Sequence, residues 1–368
     1  MEDYTFLIEK ATATDAVKAI ATKIMAGERI TPDDALILYN NADTALLGLL
    51  ASHVRIMKNG RNVFYIRNIH VEPTNICVYS CRFCSYSKRA GEPGAWSLSA
   101  AAIVDKVRKL GGQISELHIT GGAHPKQDLD YYCELFASIK EVWPRLHIKA
   151  LSAVELFYLF KLEGISYEEG LRKLIDSGLN SLPGGGAEIF DEELRKQICP
   201  DKVSSAEWLA IHEAAHKLGM HTNATMLYGH LESYEHRIDH MNRLRELQDR
   251  TSMFNAFIPL KFKSLNNSMD NIKECTLTDD LRNYAIARLF FDNITHLKAY
   301  WPMTGKQQAQ LALSFGVDDM DGTINASTSI YSAAGGDTNP SMSTEEIIQL
   351  VSEAGFTAVE RDAYYKVI

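Results

Sequence analysis

The sequence CVYSCRFC at residues 77–84 decides how the rest of the chain is interpreted. It places three thiols at the spacing C-x3-C-x2-C, directly after the apolar run 66–71. Three thiolates this close can hold one soft metal centre, whereas a structural zinc site has four protein ligands. An iron–sulfur cube held by three cysteines leaves one iron open to a further ligand. Thiols without a metal, and a zinc site completed by a histidine, are the alternatives.

The composition limits the classes of partner. The chain has 368 residues, a formal charge of -9 and 46% hydrophobic residues. This acidic balance disfavours phosphate contacts, so no nucleic-acid partner is expected. No stretch approaches the roughly 18 apolar residues of a membrane span, and residues 1–4 lack the basic start of a signal peptide. Six cysteines, three of them clustered, fit a reduced cytoplasmic protein better than a disulfide framework.

From residue 65 onward, short apolar runs alternate with helical patterns. The predicted strands are 66–72, 117–120, 147–151, 178–182, 221–227, 254–260, 295–300 and 316–320. This alternation predicts an α/β protein with a (β/α)8 TIM-type barrel, and a doubly wound open sheet is the alternative. We expect helices at 1–60 to pack on a barrel at 61–323. The remainder, 324–368, would form a C-terminal extension with a loop of small residues at 332–339.

Loops with unusual residues follow the first five predicted strands. In barrels of this kind the chemistry lies at the carboxyl ends of the strands. After the cysteine stretch, these loops are GGAHP (121–125), SAVE (152–155), PGGGAE (183–188) and NATMLYGH (223–230). Together they predict one functional site on that rim.

Glycines and acids in these loops are candidate ligand contacts. Gly121 and Gly122 expose backbone groups that can hold a carboxylate or an amino group, or they form a tight turn without a ligand. The run 184–186 precedes a helix and can form an anion nest. Glu155 and Glu188 lie where a carboxylate accepts from ribose hydroxyls or an ammonium, although acids there often only start a helix.

With Phe83 before the last cysteine, the motif resembles that of the radical S-adenosylmethionine (radical SAM) superfamily. The resemblance implies a [4Fe–4S] cluster on Cys77, Cys81 and Cys84, whose free iron chelates S-adenosylmethionine. It also implies that Lys202, otherwise a surface lysine, contacts the carboxylate of that molecule. The full set of implied cofactor-binding residues is Phe83, Gly121, Gly122, Ser152, Glu155, Gly185, Glu188 and Lys202.

A second group of segments resembles the menaquinone enzymes of the futalosine pathway. These segments are GGAHP (121–125), SLPGGGAEIF (181–190), NATMLYGH (223–230), FIPL (257–260) and DDMDGT (318–323). Phe190, Leu260 and the last segment favour the synthase branch over the related dehypoxanthine futalosine cyclase. The resemblance implies a transferase that adds the 5′-deoxyadenosyl radical to 3-[(1-carboxyvinyl)oxy]benzoate. Rearrangement and decarboxylation would then give 6-amino-6-deoxyfutalosine.

The implied reaction consumes S-adenosylmethionine as a co-substrate and needs an external one-electron reductant of the flavodoxin or ferredoxin type. Its expected catalytic contacts are Asn223, Tyr228 and His230. The acceptor carries two carboxylates, for which we predict the nest at 184–186, Lys261 and Lys298 as partners. The competing non-enzymatic class is an iron–sulfur electron carrier or a zinc-stabilised binding module. A carrier, however, would ligate every iron with protein thiolates.

Overall fold

A computed structural model describes residues 5–11, 13–110, 112–324, 330–336 and 340–368. Within these ranges, it describes the backbone but not the side chains of residues 5–7 and 331. The predicted loop at 332–339 therefore lies partly outside the described residues.

The helices and strands follow the predicted alternation. The helices are α1 (Thr5–Lys10), α2 (Asp15–Met25), α3 (Pro32–Asn41), α4 (Thr44–Asn59), α5 (Ala100–Lys109), α6 (Leu129–Val142), α7 (Ala153–Glu163), α8 (Tyr167–Asp176), α9 (Glu192–Ile198), α10 (Ser205–Lys217), α11 (Tyr234–Thr251), α12 (Leu277–Phe290), α13 (Trp301–Thr304), α14 (Lys306–Ala312), α15 (Ile330–Ala333) and α16 (Thr344–Glu353). The strands are β1 (Asn62–Ile66), β2 (Asn68–Val71), β3 (Glu116–Ile119), β4 (His147–Ala150), β5 (Thr222–Tyr228), β6 (Phe254–Lys261), β7 (His296–Leu297), β8 (Asp319–Gly322) and β9 (Thr357–Glu360).

Parallel strands close into a barrel. β2, β3 and β4 pair in that order, as do β5, β6 and β7. Residues 181–182 connect β4 to β5 through single parallel bridges, and Lys298 bridges to Asp319 at the start of β8. β8 pairs with β1, which continues into β2 after Arg67. These pairings join the strands into a closed ring, so the predicted α/β barrel of the TIM type is confirmed.

The first and fourth predicted strands differ from the observed ones. The first begins at Asn62 rather than at residue 66 and is interrupted at Arg67. Its β1 half pairs with β8 and β9, and its β2 half pairs with β3. The fourth, predicted at 178–182, retains only the bridging residues 181–182. Gly178 has a φ of 115° and forms the turn that follows α8, so extended backbone cannot begin there.

The seventh and eighth predicted strands are shorter or shifted. The seventh, predicted at 295–300, covers only the two residues of β7, and Tyr300 already precedes α13. The eighth, predicted at 316–320, starts instead at Asp319. A turn of 3-10 helix at Leu313–Phe315, followed by Gly316 at a φ of 96°, delays it.

The N-terminal helices pack against the outside of the barrel. Thr31 caps α3, and its Oγ1 accepts from the amide of Asp34 at 3.1 Å. The Tyr39 hydroxyl donates to Asn283 of α12 at 2.7 Å, and Arg55 donates to the carbonyl of Val317 at 3.0 Å. The division at residues 60 and 323 stays a prediction.

The C-terminal segment closes the amino-terminal side of the barrel. β9 pairs with β1 in parallel, and the guanidinium of Arg361 bonds to the buried carboxylate of Asp319 at 2.7 Å. The opposite rim, where the strands end, therefore carries the loops predicted to form the site. Within the described ranges, no helix has the length and apolar character needed to cross a membrane.

Candidate active site

The three cysteines of the motif line one cavity of about 170 Å³ at the carboxyl rim of the barrel. All three thiols are free and half-buried. Burial raises the pKa of Cys77 and raises the pKa of Cys81 to about 12. Without a metal, the thiols of Cys77 and Cys81 are therefore protonated at neutral pH, and a bound metal would have to displace their protons.

The glycine pair after β3 lies directly against the cysteine loop. The amide of Gly122 donates to the carbonyl of Thr74 at 2.9 Å. A Cβ on Gly122 would lie 2.2 Å from the oxygen of Ile76, and one on Gly121 would lie 2.7 Å from that of Thr74. Neither position has room for a side chain. Both glycines also line the cysteine cavity, so the loop and the glycine pair form one unit.

Gly122→Ala should loosen this unit. The methyl group would push the oxygen of Ile76 away, and we expect a loss of about 1–3 kcal/mol in the free energy of unfolding. Iron incorporation should fall as well, because the loop that carries the thiols would shift. Urea unfolding and iron analysis after anaerobic reconstitution measure the two effects.

Gly185→Ala provides the stability control, since the nearest atom to its ideal Cβ is 3.8 Å away. An unchanged unfolding midpoint for Gly122→Ala would show that the contact at Ile76 does not constrain the loop.

Ser152 and Glu155 start α7 and also line the cysteine cavity. The Oε2 atom of Glu155 accepts from the amide and the hydroxyl of Ser152, both at 2.7 Å, and from the hydroxyl of Thr120 at 3.3 Å. Burial raises the pKa of Glu155, and these hydrogen bonds oppose that rise. The carboxylate thus begins a helix and also lines the cavity, and its contact with a ligand stays a prediction.

Lys202 and Glu188 form a buried ion pair that joins the segment after α9 to the glycine loop at 183–188. The ammonium also lies 5.2 Å from the ring centroid of Phe83. Glu188 has a φ of 49°, in the left-handed region that non-glycine residues seldom adopt. Lys202, predicted to contact a ligand carboxylate, therefore already has a protein carboxylate as its partner.

A second cavity, of about 250 Å³, occupies the barrel interior beside the first. The residues lining both cavities are Phe83, Cys84, Tyr86, Thr120 and Gly185. Of the predicted anion nest, Gly184 and Gly185 line the interior cavity. Because the two cavities share a wall, a molecule in the interior can approach one held at the cysteines.

The alternation of side chains along strand β5 determines which of its residues face the interior cavity. Asn223, Thr225 and Leu227 line the cavity, whereas Tyr228 points outward and its hydroxyl donates to Asp280 at 2.8 Å. Side chains alternate between the two faces of a strand, so Asn223 and Tyr228 cannot share a face. Contrary to the prediction of a catalytic contact, Tyr228 lies outside both cavities. Strict alternation would have identified Thr225 and Leu227, which the sequence interpretation missed.

His230 also departs from its predicted role. Its side chain is fully buried, with Nε2 3.2 Å from the carbonyl of Leu227 and its amide donating to Glu232 at 2.8 Å. It is not among the described residues that line either cavity. The turn after β5 directs this imidazole into the protein, so the structure does not support a catalytic contact.

The interior cavity is lined by lysines that form ion pairs. The pairs are Lys149–Glu116, Lys261–Asp280, Lys263–Glu274 and Lys298–Asp321. In the first three, the lysine lines the cavity and its carboxylate partner is not among the described lining residues. Among the described charged residues that line the cavity, the four lysines therefore outnumber the two carboxylates, Glu188 and Asp321. The sequence predicted Lys261 and Lys298 here but missed Lys149 and Lys263.

The donor set around the smaller cavity fits a [4Fe–4S] cluster with one open iron. The three motif thiols line it, and none of the other cysteines in the described ranges does. Nowhere in those ranges do three His, Cys, Asp or Glu side chains converge on a single metal ion. A cluster distributes its ligands over several irons, so its thiols need not converge on one point.

Comparison with known proteins agrees with this site. Residues 71–244 match the model of the Radical SAM superfamily, and residues 251–368 match that of the CofH/MqnC C-terminal region. The aminodeoxyfutalosine synthase of Thermus thermophilus is 42% identical over 352 residues, which cover 94% of each chain. The cyclic dehypoxanthine futalosine synthase of Streptomyces coelicolor is 37% identical, over 95% of this chain and 88% of that protein.

A solved structure supports the architecture. The FeFe-hydrogenase maturase HydG from Carboxydothermus hydrogenoformans gives a TM-score of 0.74 at 17% identity, over 95% of this chain and 80% of that one. At this identity the likeness concerns the fold. Together with the three-thiol cavity and the close relatives, it shows that the chain belongs to the radical SAM superfamily, in the family that joins this domain to the CofH/MqnC C-terminal region.

Proposed function

We propose that the protein transfers the 5′-deoxyadenosyl group of S-adenosylmethionine to 3-[(1-carboxyvinyl)oxy]benzoate and forms 6-amino-6-deoxyfutalosine. The observation that carries this proposal is the shared wall between the cysteine cavity and the cation-lined interior. A dianionic acceptor suits an interior in which lysines face the cavity and most of their carboxylate partners lie behind them. The 42% identity to an aminodeoxyfutalosine synthase supports the same reaction.

Cys77, Cys81 and Cys84 would hold the cluster, and Gly121 and Gly122 would offer backbone groups to the methionyl end of the co-substrate. When bound and reduced by an external carrier of the flavodoxin or ferredoxin type, the cluster would supply the electron that cleaves the sulfonium. We propose that Ser152, Glu155, Gly185 and the Glu188–Lys202 pair surround the rest of S-adenosylmethionine. Ser152, Glu155, Gly185 and Lys202 line the cysteine cavity, and Glu188, which lines the interior one, is the partner of Lys202; these positions support the role.

The remaining task of the protein is to orient the acceptor and exclude water. Asn223 and Thr225 offer an amide and a hydroxyl to the interior cavity, and Leu227 adds an apolar wall. The hydroxyl of Thr225 donates to the carbonyl of Gly184, which ties β5 to the glycine loop. We propose Asn223 as the polar contact that orients the enol ether next to the shared wall.

The runner-up function is that of the cyclase, which acts on dehypoxanthine futalosine. Its relative is 37% identical to this chain, against 42% for the synthase. Reconstituted, reduced protein should convert S-adenosylmethionine and the enolpyruvyl benzoate into an adenosine–benzoate adduct, detected by mass spectrometry. Turnover of dehypoxanthine futalosine in place of the benzoate would transfer the assignment to the cyclase. Uptake of zinc without iron or sulfide would contradict both.

A further inference from the structure

The floor of the interior cavity contains a group of residues to which the sequence assigned no role. His70, His118 and Lys149 are matched across the neighbouring strands β2, β3 and β4. His118 and Lys149 line the cavity, together with Lys298. Three strands and the residue after β7 thus bring two imidazoles and two ammonium groups into the same part of the barrel.

The imidazole of His118 has one satisfied nitrogen and one that is not. Its Nδ1 lies 3.3 Å from Nε2 of His70, and Nδ1 of His70 lies 3.3 Å from the hydroxyl of Tyr300. The Nε2 atom of His118 is buried and has no hydrogen-bond partner in the protein. A buried polar atom without a hydrogen-bond partner lowers the stability of the protein. A ligand atom that bonds to it would remove this cost.

Both imidazoles are neutral near pH 7. Burial lowers the pKa of His70 to about 4 and holds the pKa of His118 well below its ordinary value. In one of the two neutral arrangements, Tyr300 donates to His70, and His70 donates to Nδ1 of His118. The Nε2 atom of His118 then carries a proton and is a donor. In this arrangement, His118 can donate a hydrogen bond to a ligand atom such as a carboxylate oxygen.

We propose that His118, with Lys149 and Lys298 beside it, forms a subsite for the aryl carboxylate of the acceptor. The proposal rests on the proposed function and adds the orientation of the substrate. Thr120 lines both cavities, whereas His118, two residues earlier on the same face, lines only the interior one. The vinyl carbon must face the cysteine cavity, so the ring carboxylate, at the far end of the molecule, points toward the floor.

The two lysines at the floor form ion pairs with buried carboxylates. Burial lowers the pKa of Lys149, although Glu116 opposes this effect. Burial also acts on Lys298, but the carboxylates around it, Asp321 above all, outweigh the effect of burial and raise the pKa of that lysine. Lys149 bonds to Glu116 at 2.6 Å, and Lys298 bonds to Asp321 at 2.8 Å. Burial opposes the ionisation of Asp321, but the ammonium of Lys298 outweighs it and lowers the pKa of Asp321 to about 2. Each ammonium has three donors, so each can bond to a ligand oxygen in addition to its carboxylate partner.

The test compares two ligands on reconstituted, unreduced holoenzyme with S-adenosylmethionine present. One is 3-[(1-carboxyvinyl)oxy]benzoate, and the other is 2-phenoxyacrylate, which lacks the ring carboxylate. Calorimetry should show that the wild-type protein binds the first about 10- to 100-fold more tightly. His118→Phe should remove most of this preference, and His118→Gln, which keeps an N–H donor, should restore part of it.

His221→Phe is the matched control, because His221 lies at the amino-terminal end of β5 and is not among the described residues that line the interior cavity. It should keep the full preference. His118→Asn, which is polar but too short to reach the ligand, gives the same test if the phenyl ring prevents folding. Equal binding of both ligands by the wild type, or an equal loss of both in His118→Phe, would overturn the subsite.

Turnover of the two ligands is scored separately. A preserved binding preference without formation of the adduct would contradict the proposed function and still support the carboxylate subsite.

Discussion

Cys81→Ala should abolish cluster assembly and leave no adduct formation above background. Cys81 is the middle of the three thiols that line the cysteine cavity, and none of the other described cysteines lines that cavity. Two remaining thiolates would leave two irons of a cube without protein ligands. We expect the iron content after anaerobic reconstitution to fall from about four per chain to well below one.

The matched control is Cys133→Ala. Cys133 lies on α6, 3.9 Å from the carbonyl of Lys173, and is not among the described residues that line either cavity. This variant should keep its iron and its activity. A Cys81→Ala protein that retains iron, sulfide and turnover would show that the cluster is held elsewhere.

Lys202→Met should be strongly destabilising. The ammonium is the partner of a buried carboxylate, Glu188, and its removal leaves that charge without compensation. Breaking a buried pair from one side costs about 3–5 kcal/mol in the free energy of unfolding. Urea unfolding of the cluster-free protein at pH 7 measures this loss without interference from metal binding.

The double variant Lys202→Met/Glu188→Gln removes both charges and should recover most of the lost stability. Lys196→Met is the surface control, because Lys196 and Glu193 form a 2.7 Å pair whose side chains are 68% and 78% exposed. That substitution should change the free energy of unfolding by at most about 1 kcal/mol. Equal losses at Lys202 and Lys196 would refute a structural role for the buried pair.

Helix starts could be predicted from the sequence because caps are local. Thr31, Ser99 and Asp128 each accept a hydrogen bond from an amide three residues later, which needs no contact from elsewhere in the chain. Strand ends were predicted less well. β1 extends to Asn62 because β8 and β9 pair with it, and those partners come more than 250 residues later in the chain.

The candidate site also contains residues that the sequence predicted well and residues that it predicted poorly. Its cysteines, glycine pair and capping acids lie in short segments whose spacing can be read directly, and the structure brings them to adjoining cavities. Tyr228 was misplaced because the segment 223–230 was interpreted as a block, although a strand sends alternate residues to opposite faces. His230 was misplaced because it follows the end of β5, where the turn directs its side chain into the protein.

The sequence by itself determined the three-thiol motif, the alternation of strands and helices, and the loops that end on one rim. These features depend on spacing along the chain and on local backbone preferences. Only the tertiary structure decided that Lys202 pairs with Glu188, that Lys149 and Lys263 face the interior, and that His118 lies opposite Lys149. Such contacts depend on strand register and barrel closure, which join residues far apart in sequence and fix the direction of each side chain.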